Sequence, residues 1–183
     1  MQQQPDKVPS RAIIVMGVAG SGKSTIGRML AEHLNYRHIE GDDFHSAQAK
    51  NMMASGIPLA NDLREQWVQA LCQELQQCKE QNISCVLSYS GLISRHRQMI
   101  RAAGAAVHFF YLYGDEALLA ERLQIRKNHF MPAGMLKSQL DTMQPPDAET
   151  DVTRLNITLS AEQIMQRIVA QLTDNLPNDC ANI

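Results

Sequence analysis

The sequence predicts an α/β fold, a parallel sheet with helices on both faces. Short strand-like runs alternate with longer segments of helical periodicity, and strands joined through helices pair in parallel and need cover on both sides. The first run, 11–16 (Arg-Ala-Ile-Ile-Val-Met), is apolar and rich in β-branched side chains, as a doubly buried strand requires. It leads straight into Gly17-Val18-Ala19-Gly20-Ser21-Gly22-Lys23-Ser24-Thr25 and then into a helix.

Each element has its own reason. Over 23–34, Ile26, Met29, Leu30, Ala31 and Leu34 share one helical face. A second strand is expected at 37–40, closed by Gly41-Asp42-Asp43. Gly56 and Pro58 interrupt the helix formers of 45–61, which implies a helix, a turn and a loop. A long amphipathic helix follows, capped by Asn61 or Asp62, with Trp67, Leu71 and Leu75 as its apolar stripe. Residues 83–87 form the third strand candidate; 92–103 read as a helix carrying Arg95, Arg97 and Arg101; 107–113 are the clearest buried strand. Asp115 is placed to cap a helix to about 126, and Pro132 to open another ending near 143. Residues 155–159 suit a last strand, and Ser160 with Gln163 forms a capping box for the closing helix. The expected organisation is a polar, frayed N-terminus over 1–10, one domain over 11–175 and a tail over 176–183.

The glycine-rich turn fits the phosphate-loop pattern G-x-x-x-x-G-K-[ST], with Gly17, Gly22, Lys23 and Ser24 at its fixed places. Gly17, Gly20 and Gly22 let successive N–H groups turn inward around a phosphate. The candidate set is Gly17, Ala19, Gly20, Ser21, Gly22, Lys23, Ser24 and Thr25. Lys23 adds a mobile positive charge for the outer phosphates, and the Ser24 hydroxyl suits Mg²⁺. A strand, a loop of this kind and a helix N-terminus together form an anion site.

Composition narrows the partners. The chain of 183 residues is 44% hydrophobic and 20% charged, as globular domains are. A formal net charge of −2 argues against broad binding to nucleic acid. No apolar stretch approaches a membrane span, and the N-terminus lacks a signal peptide's apolar region. Cys72, Cys78, Cys85 and Cys180 contain no C-x-x-C pair, and Cys72 and Cys85, in apolar contexts, are expected to be reduced core thiols of a cytoplasmic protein.

Asp42 follows the second strand candidate, and ligands in such sheets sit beyond the carboxyl ends of strands. A carboxylate there can orient an acceptor hydroxyl and take its proton; the alternative is a cap on the following helix. Arg122 and Arg126 are four apart, so they share a helix face ahead of a polar segment bounded by Pro132, which suits a lid over about 127–143. Arg64, Arg97 and Arg101 form a second set suited to a carboxylate or phosphate, and spacing does not choose among them. His45 and His129 have no partner at metal-ligand spacing.

Beyond the phosphate loop, three runs carry a resemblance: Gly41-Asp42-Asp43-Phe44-His45; Met53-Ala54-Ser55-Gly56-Ile57-Pro58-Leu59 followed by Arg64 and Trp67; and His129-Phe130-Met131-Pro132 followed by Ser138-Gln139. Over about 12–172 the chain resembles the gluconate kinases, small phosphate-loop kinases related in fold to the shikimate and nucleoside monophosphate kinases. The resemblance implies a three-layer, five-stranded parallel sheet with a small lid, ATP and Mg²⁺, transfer to the 6-hydroxyl of D-gluconate, and a homodimer. By matching positions, Lys23, Asp42, Arg122 and Arg126 would be catalytic, while Asp42, His45, Arg64, Ser90, Arg97 and His129 would face the sugar acid. The family's Cys-Ser-Ala-Leu-Lys-x-x-Tyr-Arg run stands here as Tyr89-Ser90-Gly91-Leu92-Ile93-Ser94-Arg95-His96-Arg97, so a lysine has become Ile93. Asn61, Leu63, Met52 and Gln144 also depart from the pattern. A related kinase for another small polyhydroxy acid, shikimate included, and a nucleotide-binding protein without phosphoryl transfer stand as alternatives.

Overall fold

A computed structural model describes residues 9–125 and 133–174. Its sheet contains β1 (Ala12–Met16), β2 (Arg37–Glu40), β3 (Cys85–Tyr89), β4 (His108–Tyr113) and β5 (Val152–Asn156). All pairs are parallel, in the order β2-β3-β1-β4-β5. The helices are α1 (Lys23–Leu34), α2 (Ala47–Ala54), α3 (Asn61–Glu80), α4 (Ser94–Ala103), α5 (Glu116–Ile125), α6 (Ala133–Thr142) and α7 (Ala161–Asp174). Among the described residues no helix is long and apolar enough to cross a membrane.

The alternation of β1 sorts the core into two layers. Ile13 and Val15 pack with Ile26 and Leu30 of α1 and Ile164 and Ile168 of α7. Ala12, Ile14 and Met16 point the other way, onto Val68, Leu71 and Leu75 of α3 and Ile100 of α4. Every β1 residue is therefore buried, which accounts for its unbroken apolar sequence.

Several boundaries differ from the sequence expectation. The third strand starts at Cys85 rather than 83, because the Ile83 N–H closes the end of α3 on the Cys78 carbonyl (2.8 Å). The last strand is Val152–Asn156, not 155–159: Val152, Thr153 and Arg154 pair with Phe109, Phe110 and Tyr111 despite their mixed polarity, since an edge strand tolerates polar side chains. Helix α3 has Ala60 as its N-cap, with no side-chain cap. Asn61 and Asp62 are its first helical residues, where the Asp62 charge favours the helix dipole. Helix α4 starts at Ser94 because Ile93 is extended. The capping box of α7 is present: Ser160 N–H donates to Gln163 Oε1 (2.9 Å) and Gln163 N–H to Ser160 Oγ (3.2 Å). The expected helix opening at Pro132 lies outside the described residues.

Candidate active site

The phosphate loop joins β1 to α1. Gly17 has φ +153°, and a Cβ there would stand 2.5 Å from the Leu112 carbonyl oxygen and 2.7 Å from Ser21 Oγ, so only glycine fits. The Gly17 N–H donates to the Ser90 carbonyl (3.1 Å), tying the loop to the end of β3. Gly22 is the N-cap of α1 in a left-handed conformation and has no side chain to occupy the first-turn N–H groups; these are left for an anion. Lys23 Nζ donates to the Val18 carbonyl (3.0 Å), which holds its charge against the loop.

Loop residues Ala19, Gly20, Gly22, Lys23, Ser24 and Thr25 form one wall of a cleft of about 650 Å³. That volume suits small molecules, whose sites span about 300–1,000 Å³. Gly17 and Ser21 stand behind this wall and shape it. Asp42, His45, Arg64, Ser90 and Arg122 line the same cleft. The structure thus brings together most of the expected site. Arg126 and His129 lie outside the described residues, as does the segment before α6 expected in the lid.

Asp42 sits in a 3-10 turn, Gly41–Phe44, that directly follows β2. The capping alternative does not hold: the N-cap of α2 is Ser46, whose hydroxyl accepts the Ala49 N–H at 3.1 Å. The Asp42 side chain is 65% exposed, and its Oδ1 lies 3.9 Å from His45 Nε2. His45 is buried and stacks on Trp67 with ring centroids 4.2 Å apart. Burial lowers its pKa, against the pull of Asp42, so the ring facing the cleft is neutral at pH 7.

The three arginines left open by spacing separate cleanly. Arg97 does not reach the cleft, contrary to expectation. It is 0% exposed and donates to the Gly91 carbonyl (2.7 Å), the Gln144 carbonyl (3.0 Å) and Glu149. Its guanidinium is consumed by the protein, so it pins the loop instead of binding substrate. Arg101 is likewise paired, with Glu149 and Asp151. Arg64 lines the cleft, and no carboxylate of the described residues stands within ion-pair distance of it. Arg122 also lines the cleft but donates to the Ile157 carbonyl (2.6 Å). It is thus anchored to the body of the fold, not carried by a moving segment.

Similarity to known proteins agrees with this arrangement. A family model described as shikimate kinase matches residues 19–173. The thermosensitive gluconokinase of Escherichia coli K12 is 35% identical over 164 residues, covering 87% of this chain and 88% of that protein. The chain belongs to the gluconokinase family. Among solved structures, a gluconokinase from Sinorhizobium meliloti 1021 is 34% identical with a TM-score of 0.81, covering 92% of this chain and 94% of that one. A sugar kinase from Janibacter sp. HTCC2649 is 32% identical with a TM-score of 0.86, covering 90% and 95%.

The departures from the gluconokinase pattern now have places. Ile93 lines the cleft, so the substitution changes the wall itself. Gln144 replaces the cap that Ile93 cannot give: its Oε1 accepts the Ser94 N–H (2.7 Å), and its own N–H donates to the Leu92 carbonyl (2.8 Å). Asn61 and Leu63 fall in the first turn of α3, and Met52 lies near the end of α2. Sequence reasoning missed Lys50, His96 and Gln139 as parts of the cleft. Gln139 lies in the Ser138-Gln139 run and His96 in the Tyr89-to-Arg97 run, both compared with the family pattern, which was the available signal; Lys50 belongs to neither.

Proposed function

We propose that the protein transfers the γ-phosphoryl group of ATP to the 6-hydroxyl of D-gluconate, giving 6-phosphogluconate and ADP. One observation carries the reading: Lys23 and Ser24, Asp42, and an unpaired Arg64 line a single small-molecule cleft. The acceptor oxygen forms a bond to the γ-phosphorus as the bond to the bridging oxygen breaks, and that electron pair leaves with ADP. Asp42 orients the hydroxyl and accepts its proton. Lys23, the first-turn N–H groups of α1 and Arg122 face the negative charge of the transferring group, and Arg64 holds the sugar acid's carboxylate.

The donor set fits Mg²⁺, which prefers hard oxygen ligands and keeps waters and phosphates in its shell. The Ser24 hydroxyl, with phosphate oxygens, would hold it, and the ion would offset charge between the β- and γ-phosphates. From its cysteine usage the protein is proposed to act in the cytoplasm, and from the resemblance as a homodimer, which light scattering of the purified chain checks.

A coupled assay for ADP release over a panel of sugar acids, with shikimate included, tests the function. Turnover that depends on gluconate and exceeds every other acceptor is the expected result. Its absence with Mg²⁺-ATP would sink the reading, and faster turnover of another acid would reassign the acceptor.

A further inference from the structure

His96 is a buried imidazole, 9% exposed, in the wall of the cleft. No hydrogen bond among the described residues reaches its ring. The charged groups acting on it are Glu65 and Arg64 from α3 and Arg95 on its own helix. Glu65 is held by Arg95 at 2.7 Å, whereas Arg64 has no such partner. Its ring nitrogens are not cut off in the interior; the ring lines the cleft, where a ligand can meet it. The α3–α4 wall therefore offers a guanidinium and an imidazole, both unengaged. The wall at the end of β2 carries the carboxylates of Asp42 and Asp43, which repel an anion. An acceptor with a carboxylate at one end and a reactive hydroxyl at the other is oriented by that difference.

We propose that His96, together with Arg64, binds the carboxylate of the acceptor and takes up a proton as the acid binds. This rests on the sugar-acid reading above. In the free protein, burial lowers the pKa of His96; Glu65 opposes this, while Arg64 and Arg95 add to it. The ring is then neutral at pH 7. An arriving carboxylate favours the charged ring, and a ligand that raises a pKa binds more tightly as pH falls toward the raised value. The acid's own carboxylate titrates near about pH 4, outside that window. His45 is the other imidazole lining the cleft among the described residues, but it stacks on Trp67 beside Asp42. Its titration would persist in a His96 variant.

The test is the KM for gluconate between about pH 6 and 8.5, in wild type and His96→Gln, with His96→Asn as a second variant should the first fold poorly. If binding raises the pKa by one unit, the wild-type KM rises several-fold across this range, with about tenfold as the upper limit. In the variant the slope is lost, and the low-pH KM rises to the wild-type high-pH value. The KM for ATP keeps its wild-type pH profile. Calorimetry of gluconate binding in buffers of different ionisation enthalpy should show proton uptake by wild type and none by the variant. Gluconate turnover with an unchanged slope and unchanged uptake in both variants overturns the His96 assignment alone. Absence of gluconate turnover by wild type at every pH overturns the functional reading, and this assignment with it.

Discussion

The indole N–H of Trp67 donates to the carbonyl of Gly41 at 2.7 Å, and Gly41 immediately precedes Asp42. The same indole stacks on His45. One side chain of α3 therefore fixes both ends of the turn that presents the proposed base. Trp67→Phe keeps an aromatic surface but loses the bond to Gly41. We expect a loss of about 1 kcal/mol in stability, as for one net hydrogen bond, and a larger KM for gluconate than for ATP in steady-state assays. Equal effects on both KM values would show that the turn does not depend on this bond.

Asp42→Asn preserves shape and removes the proton acceptor. If Asp42 is the general base, kcat falls by about 10²–10⁴-fold. ATP binding, followed by a fluorescent analogue, should stay near wild type, because Asp42 belongs to the turn after β2 and not to the phosphate loop. Retained turnover would move the base elsewhere. Tight nucleotide binding by wild type without turnover of any acceptor would instead support a non-catalytic nucleotide-binding protein.

The parts legible in the sequence were those set by neighbours in the chain. The β1–loop–α1 unit follows from contiguous residues, and so does the Ser160–Gln163 box. Arg97 shows the other case. As one basic residue among several on a polar helix it reads as a surface or substrate-binding cation, yet its partner Glu149 lies 52 residues away. Burial of that pair is a property of the tertiary fold and leaves no local trace. Gln144 is similar, capping α4 from 50 residues downstream. The last strand was misplaced because apolar density marks buried strands, while β5 pairs at the sheet edge through Thr153 and Arg154.

Arg97 supplies a stability prediction. It holds the Gly91 carbonyl, and Gly91 adopts φ +62° with a Cβ position only 2.8 Å from Met16 Cβ. Arg97→Met leaves two carbonyls without their donor and Glu149 with Arg101 alone. Breaking a buried pair from one side costs about 3–5 kcal/mol, which chemical denaturation would register. Arg97→Lys should not restore stability, since one ammonium cannot reach all three acceptors.

Glu149 adds a pH dependence to the same network. Burial raises its pKa, but hydrogen bonds and charge from Arg97 and Arg101 outweigh that and hold it below the ordinary value of 4.5. With the folded pKa below the unfolded one, the stabilisation is complete above about pH 4.5 and is lost as pH falls through the folded value. Thermal melts from pH 7 downward should show wild type losing Tm below that point. Glu149→Gln should start less stable at pH 7 and lose less on acidification. Parallel curves for the two proteins would place the acid sensitivity elsewhere.

Gln139 on α6 reaches the phosphate loop directly: its Oε1 accepts the Ala19 N–H at 2.7 Å, and both residues line the cleft. This helix, which lies within the expected lid, is thereby coupled to the nucleotide wall. Gln139→Ala removes one neutral hydrogen bond, worth about 0.5–1.5 kcal/mol, so the KM for ATP should rise about 2–10-fold while that for gluconate stays put. Gln139→Glu keeps the acceptor oxygen but adds a negative charge beside the bound phosphates. If Gln139 served only to hold α6 in place, the glutamate would be the milder change, because it still accepts from Ala19. If the side chain faces the phosphates, repulsion makes it the more damaging of the two, and added salt should relieve part of the loss by screening. The rank order of the two variants in ATP affinity therefore decides whether this contact is structural or belongs to the nucleotide site.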